Sequence, residues 1–181
     1  MREIEIKVAV KDHDVLETAL NKLGVKLGPP KKQHDVVFCL PGSGDDALNA
    51  NWLRIRTEND TIHTFNLKRS VTGQLDSIEH ETEVKNRSEL EEIIHLLGYV
   101  LYSDITKERR TAKYNDIEIC FDYVPSLGYF IEAEKIMGKD ADHDKVVAEL
   151  WELFDQLGLD KKDEVTLGYD VLDRRKRGIT N

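Results

Sequence analysis

The chain opens on strict alternation. In Glu3-Ile4-Glu5-Ile6-Lys7-Val8 each charged side chain is followed by an apolar one. Successive side chains of a β-strand point to opposite faces, so Glu3, Glu5 and Lys7 share one face and Ile4, Ile6 and Val8 the other. The apolar face can bury into a core. A charged face usually meets solvent, and one such strand alone says little. The constraint comes from recurrence with complementary charges. Leu53 and Ile55 alternate with Arg54 and Arg56, and Phe65 and Leu67 with Asn66 and Lys68. Glu79, Glu81 and Glu83 share a strand face, and Lys107 and Arg109 stand two apart. Glu118, Cys120 and Asp122 oppose Ile117, Ile119, Phe121 and Tyr123, and Phe130, Glu132 and Glu134 share a face near the end of the series.

Between these strands the period changes. Val15, Leu16, Ala19, Leu20 and Leu23 form one helical stripe, with acidic residues before it and Gly24 after it. Ser88-Glu89-Leu90-Glu91 reads as a capping box opening a second helix, whose face is Leu90, Ile93, Ile94 and Leu97. A third carries Val146, Val147, Leu150, Leu153, Phe154 and Leu157. Three times, a strand with Glu-x-Glu precedes a helix ending in Leu-Gly: Glu3/Glu5 with Gly24, Glu81/Glu83 with Gly98, and Glu132/Glu134 with Gly158. The unequal spacings exclude a solenoid repeat. Val71-Thr72-Gly73-Gln74 is expected to turn the chain, and the Gly-, Asp- and Asn-rich stretch 41–51 to form a mobile loop.

So many strands with a polar face need that face held inside. An α+β fold is expected, built on an antiparallel closed β-barrel, or tunnel, of about eight strands. Polar residues would line its interior, and helices would pack outside on its apolar surface. The 181 residues suit a single domain, 1–181, with a sizeable core. A net charge of −9 argues against general nucleic-acid binding. No apolar run approaches the length of a membrane span, and Met1-Arg2-Glu3 leads straight into the first strand without a signal-peptide pattern. Cys39 and Cys120 lie far apart with no metal-type spacing, which fits a reduced, cytoplasmic protein.

Folding the alternation into a barrel gathers two charge sets inside. The acidic set is Glu3, Glu5, Glu79, Glu81, Asp122, Glu132 and Glu134; the basic set is Lys7, Arg54, Arg56, Lys68, Lys107 and Arg109. Desolvation penalises each buried ion, and pairing offsets only part of that cost. A polyphosphate with a divalent cation would offset it better. Arginine suits bidentate phosphate contacts and lysine point-charge contacts, while clustered carboxylates suit Mg²⁺ or Mn²⁺. For Glu79 and Glu81 a solvated strand face is an equal alternative. No Walker A, Gly-rich dinucleotide loop or nucleophile elbow is present, so phosphate contacts must come from side chains.

The marks Glu3-x-Glu5-x-Lys7, Gln33-x-Asp35, Leu53-Arg54-Ile55-Arg56, Leu67-Lys68, Glu79-x-Glu81, Lys107-x-Arg109, Asp122-x-Val124-x-x-Leu127-Gly128-x-Phe130-x-Glu132-x-Glu134 and Tyr169 occur in order along nearly the whole chain. In these the chain resembles the CYTH superfamily, the triphosphate tunnel metalloenzymes. The segment from Leu127 leans towards its class IV adenylate cyclase branch. The resemblance implies that Glu3, Glu5, Asp122, Glu132 and Glu134 surround the metal, Mg²⁺ or Mn²⁺. It implies that Lys7, Arg54, Arg56, Lys68, Lys107 and Arg109 grip the triphosphate, and that Glu5, Lys68, Asp122 and Glu134 belong to the catalytic centre. Val37 stands where the family commonly has Tyr, which argues against a thiamine triphosphatase.

Three functions follow as expectations. The first is a class IV-type adenylate cyclase converting ATP to cyclic AMP and pyrophosphate. The second is a triphosphatase acting on inorganic or nucleoside triphosphate, and the third a non-catalytic polyphosphate-binding module. Each takes a small-molecule triphosphate as partner, with no nucleic acid and no membrane; a homodimer is also consistent with the resemblance.

Overall fold

The structure, a computed structural model, describes residues 1–44 and 50–179. Eight strands form a closed antiparallel barrel, as the alternation requires. They are β1 (Arg2–Val10), β2 (Lys31–Cys39), β3 (Asn51–Glu58), β4 (Ile62–Gly73), β5 (Asp76–Glu83), β6 (Val100–Tyr114), β7 (Ile117–Val124) and β8 (Gly128–Met137). Around the barrel the order is β1-β5-β4-β3-β2-β6-β7-β8. β8 closes on β1 along the whole strand, from Arg2 opposite Met137 to Val10 opposite Tyr129. At the β3–β4 hairpin, Asn59 and Asp60 both adopt positive φ, +49° and +62°. With Thr61 they make a three-residue connection closed by the Thr61 amide, which donates to the Glu58 carbonyl at 3.2 Å, and Asn and Asp are the side chains that tolerate positive φ best.

The helices are α1 (His13–Lys22), α2 (Arg87–Leu96), α3 (His143–Gln156) and α4 (Tyr169–Lys176). The outward apolar residues of β1, β7 and β8 meet α1 and α3. Ile4, Ile6, Ile119, Phe121 and Ile131 pack there with Leu16, Leu20, Leu150, Leu153 and Phe154. On the opposite wall, Ile94 of α2 packs with Val36, Phe38, Leu53 and Ile55. Each such side chain contributes about 1.5–3 kcal/mol when buried, so the helices hold the outer surface while the interior stays free for charge.

Two local expectations shift. The second helix is capped two residues early: Asn86 Oδ1 accepts from the Glu89 amide at 3.2 Å, and the Ser88 hydroxyl donates to the same oxygen. Asn caps as well as Ser does, so the upstream candidate prevails. β4 also runs through Gly73, past the expected turn, because a register shift between Ser70 and Gly73 absorbs the extra residues. The expected loop at 41–51 lies partly outside the described residues, and Asn51 already belongs to β3.

The interior has a polarity gradient. Inward positions run Gln33, Asp35, Val37 along β2, Arg109, Lys107, Ile105 along β6, and Glu134, Glu132, Phe130 along β8. The apolar end meets α4. There Val171 packs with Val37 and Tyr102, and Tyr169 and Leu172 pack with Ile105, Val124 and Phe130. The Gly168 amide donates to Gln74 Oε1 at 2.6 Å, tying the start of this helix to the β4–β5 turn. At the charged end, Met1 and Ile136 line the interior yet are 71% and 59% exposed, so that mouth opens to solvent. No helix among the described residues is long and apolar enough to cross a membrane.

Candidate active site

The barrel encloses a cavity of about 520 Å³. Arg54, Arg56 and Lys68 line it together with Lys7, Lys107 and Arg109, and Lys31 of β2 joins them, so cations from five strands face one space. Glu3, Glu5, Glu132 and Glu134 enter from β1 and β8, and Asp35, Glu79 and Glu81 from β2 and β5.

Most cations are pinned by a carboxylate. Arg56 Nε and Nη2 donate to the two Asp35 oxygens, both at 2.7 Å, as a bidentate pair between residues directly opposite on β2 and β3. Arg109 does the same to Asp122, at 2.7 and 2.5 Å, again directly across strands. Lys107 Nζ adds a third donor to Asp122 at 3.0 Å, and Arg109 also pairs with Glu132. Lys7 Nζ lies 3.4 Å from Glu132, donates to the Leu167 carbonyl at 3.0 Å, and sits over the Tyr169 ring. Lys68 lies 2.9 Å from Glu79, which also accepts from Asn66 and Ser77. Arg54 is held more loosely, 4.0 Å from both Asp35 and the half-exposed Glu81.

These pairings set protonation. Burial alone would raise Asp35, Asp122, Glu132 and Glu79, but the adjoining Arg and Lys charges hold all four below the ordinary carboxylate range. Burial likewise would strip Lys68, yet Glu79, Glu5 and Glu3 raise its pKa above normal, so it stays an ammonium rather than a base. Lys107 is pushed down, by burial and then by Arg109 beside it.

Glu3, Glu5 and Glu134 differ. Their carboxylates each offer an oxygen within 4.8 Å of the others. Glu5 and Glu134 are direct cross-strand neighbours, the arrangement that like charges disfavour. Burial raises all three first, and neighbouring carboxylates add to it: Glu79 and Glu5 beside Glu3, Glu132 beside Glu5, and Glu3 and Glu5 beside Glu134; Glu3 is raised to about 7 and Glu134 well above its usual value. A cluster that cannot comfortably ionise alone fits a divalent cation, whose charge removes the repulsion and whose preference is for oxygen ligands.

The expected site residues therefore separate. Glu3, Glu5 and Glu134 come together as a group able to hold a metal. Asp122, expected beside the metal, is fully buried with both oxygens taken by Lys107 and Arg109. Glu132 likewise answers to Lys7 and Arg109. Glu79 is engaged with Lys68, while Glu81 is 49% exposed at the rim. Asp35 was legible on the strand face of Gln33-x-Asp35, but its service to Arg56 depends on strand register. Glu118, on the inward face of β7, lies directly opposite Glu134 and lines the cavity without a role read from sequence.

A family model described as the CYTH domain matches residues 1–169. A curated protein of Methanocaldococcus jannaschii, named "putative adenylate cyclase", is 31% identical over 172 residues, 93% of this chain and 97% of that protein. A solved structure from Pyrococcus horikoshii superposes with a TM-score of 0.80 at 25% identity, covering 94% of this chain and 98% of that one. A Hippeastrum structure superposes with a TM-score of 0.63 at 17% identity over 98% of this chain and 95% of that one. It is titled a putative adenylyl cyclase that reveals a dominant triphosphatase activity.

Proposed function

From the premise that the chain belongs to the CYTH domain family, we propose that it is a divalent-metal-dependent enzyme acting on a triphosphate, and that its reaction is cyclisation of ATP to cyclic AMP and pyrophosphate. One observation carries the reading: the clustered carboxylates of Glu3, Glu5 and Glu134 and the cations of Lys7, Arg54, Arg56, Lys68, Lys107 and Arg109 face a single cavity. Phosphoryl transfer needs charge neutralisation and alignment more than covalent help, and this lining supplies both.

Glu3, Glu5 and Glu134 would hold the cation, taken to be Mg²⁺ or Mn²⁺ from their hard oxygen donors. Such an ion supplies Lewis acidity to phosphate oxygens and to the attacking hydroxyl. Asp35, Asp122 and Glu132 aim Arg56, Lys107, Arg109 and Lys7 at the phosphate chain. The 3′-hydroxyl oxygen forms a bond to the α-phosphorus as the bond to pyrophosphate breaks. The hydroxyl proton leaves to water at the open mouth, and the leaving pyrophosphate keeps its charge against the Arg and Lys groups. Lys68, held as an ammonium by Glu79, bridges the acidic and basic walls and adds positive charge rather than accepting a proton.

A second reading, hydrolysis of inorganic triphosphate or ATP, is favoured by the lining itself. It is charged along most of its length, so a bare triphosphate satisfies it without a nucleoside. Incubation with ATP and Mg²⁺ or Mn²⁺, followed by product analysis, separates the two. Cyclic AMP with pyrophosphate supports cyclisation, ADP with phosphate supports hydrolysis, and tight binding without turnover overturns both.

A further inference from the structure

Glu134 has a carboxylate on each side. Across β8 and β1 it faces Glu5, and across β8 and β7 it faces Glu118. Two residues along β7, on the same inward face, stands Cys120, which is 0% exposed. Its Sγ and oxygens of Glu118 and Glu134 all lie within 4.8 Å of one another. Among the described residues the structure records no hydrogen bond or ion pair for any of these three side chains. The geometry points to a second cation site, Glu118–Cys120–Glu134, selective for a thiophilic divalent cation such as Zn²⁺ or Cd²⁺.

The donor set decides the class of ion. One sulfur with two carboxylates suits a borderline-soft metal, and Zn²⁺ accepts Cys and Glu ligands together while leaving a fourth position for water. Mg²⁺ avoids thiolate and would not gain from Cys120. Burial pushes the Cys120 thiol well above its ordinary pKa, so without metal it stays protonated. A coordinating cation deprotonates it outright, and that proton leaves to solvent. Two neighbouring features support a ligand role over mere packing. The residues flanking Cys120, Ile119 and Phe121, turn outward into the main apolar cluster, whereas Cys120 turns into the charged interior. In addition, Glu118 and Glu134 stand directly opposite each other, so one cation can take an oxygen from each together with the Cys120 sulfur.

Because Glu134 belongs to both groups, the site deepens the reading of Glu3, Glu5 and Glu134 as the holder of the activating ion. A thiophilic ion at Glu118–Cys120–Glu134 draws Glu134 away from that ion and inhibits. The enzyme would thus carry a built-in sensitivity to zinc-class metals that does not depend on the phosphate substrate.

The test starts from the whole protein, reduced and free of metal, titrated with Cd²⁺ without nucleotide while the ultraviolet sulfur-to-cadmium charge-transfer band is followed. A saturable band is expected in wild type and in Cys39→Ser, and none in Cys120→Ser. Glu118→Gln, at a half-buried position that can tolerate the change, should weaken Cd²⁺ by at least about tenfold, since even outer-shell losses cost 10–100-fold. With Mg²⁺ or Mn²⁺ and ATP, Zn²⁺ should inhibit wild type and leave Cys120→Ser at least about tenfold less sensitive. Absence of the band in folded wild type, or its persistence in Cys120→Ser, overturns the site. The band reports on the site alone: a band without any turnover would keep the second site and reject the enzymatic reading, and turnover without a band would do the reverse.

Discussion

Asp35, Asp122 and Glu132 share the barrel interior with Glu3, Glu5 and Glu134, yet the two groups are held in opposite states. The first three lie below the ordinary carboxylate range and the second three above it. Residue type and burial do not separate them, since desolvation pushes all six upward. Register does. Asp35 stands directly across from Arg56, Asp122 from Arg109 and Glu132 from Lys7. Glu5 stands across from Glu134, and Glu134 from Glu118. The barrel therefore sorts chemically equal groups into one set that aims cations and one set that awaits them.

The largest expected effect falls on the paired side. Asp122→Asn removes the partner of two buried cations, and breaking such a pair costs about 3–5 kcal/mol. Denaturant unfolding should show that loss, and a change below about 1 kcal/mol would mean the pairing is idle. On the unpaired side, Glu134→Gln removes a ligand at almost constant volume. Metal-dependent turnover should fall by roughly a hundredfold, the upper end of what outer-shell changes cost, with the melting temperature nearly unchanged. Unaltered activity and metal titration would sink the ligand assignment.

Arg56→Ala tests what the aimed cations are for. Loss of one charge-assisted contact costs on the order of 1.5–3 kcal/mol, about tenfold to a hundredfold in affinity. Calorimetry should show similar losses for inorganic triphosphate and for ATP. A large loss for ATP with none for triphosphate would move Arg56 to the nucleoside end of the cavity.

The last effect is in pH. Folded Glu3 keeps its proton up to about 7, against 4.5 for the free group. Between those values the folded state binds more protons than the unfolded one, so the metal-free protein should lose stability as pH rises through this window. Saturating Mn²⁺ should cancel that slope, because it binds the ionised form. Asp35, Asp122 and Glu132 act in the other direction: their contribution is present above the usual carboxylate pKa and is lost as pH falls through their depressed values. A flat profile from pH 4.5 to 7 without metal would contradict the account of Glu3.

Much of this was readable before the fold. Alternation in the Glu3–Lys7, Arg54–Arg56 and Glu132–Glu134 segments placed the charged faces inside, and period-two logic with helical stripes gave barrel and helices. The gradient towards α4 runs through the same alternation, in Asp35-Val36-Val37 and Ile105-Thr106-Lys107, but it took Tyr169 and Val171 in place to make it a feature. What stayed hidden was pairing across strands, because a strand's own sequence does not say which residue of its neighbour it will face. That is why Asp122 and Glu134 looked alike, why Asp35 had no assigned task, and why Cys120, unremarkable by spacing, proves to stand beside Glu118 and Glu134. Asn86 displaced Ser88 as a cap for a simpler reason: two competent caps lay two residues apart.

The division of the carboxylates is tested most directly by calorimetric titration of Mn²⁺ into the wild type, Glu5→Gln and Asp122→Asn at neutral pH, each confirmed folded by circular dichroism. The account predicts that Glu5→Gln binds at least about tenfold more weakly than wild type, while Asp122→Asn keeps wild-type affinity within about a factor of three despite its lower stability. Full Mn²⁺ affinity in Glu5→Gln, with affinity lost in Asp122→Asn, would contradict it.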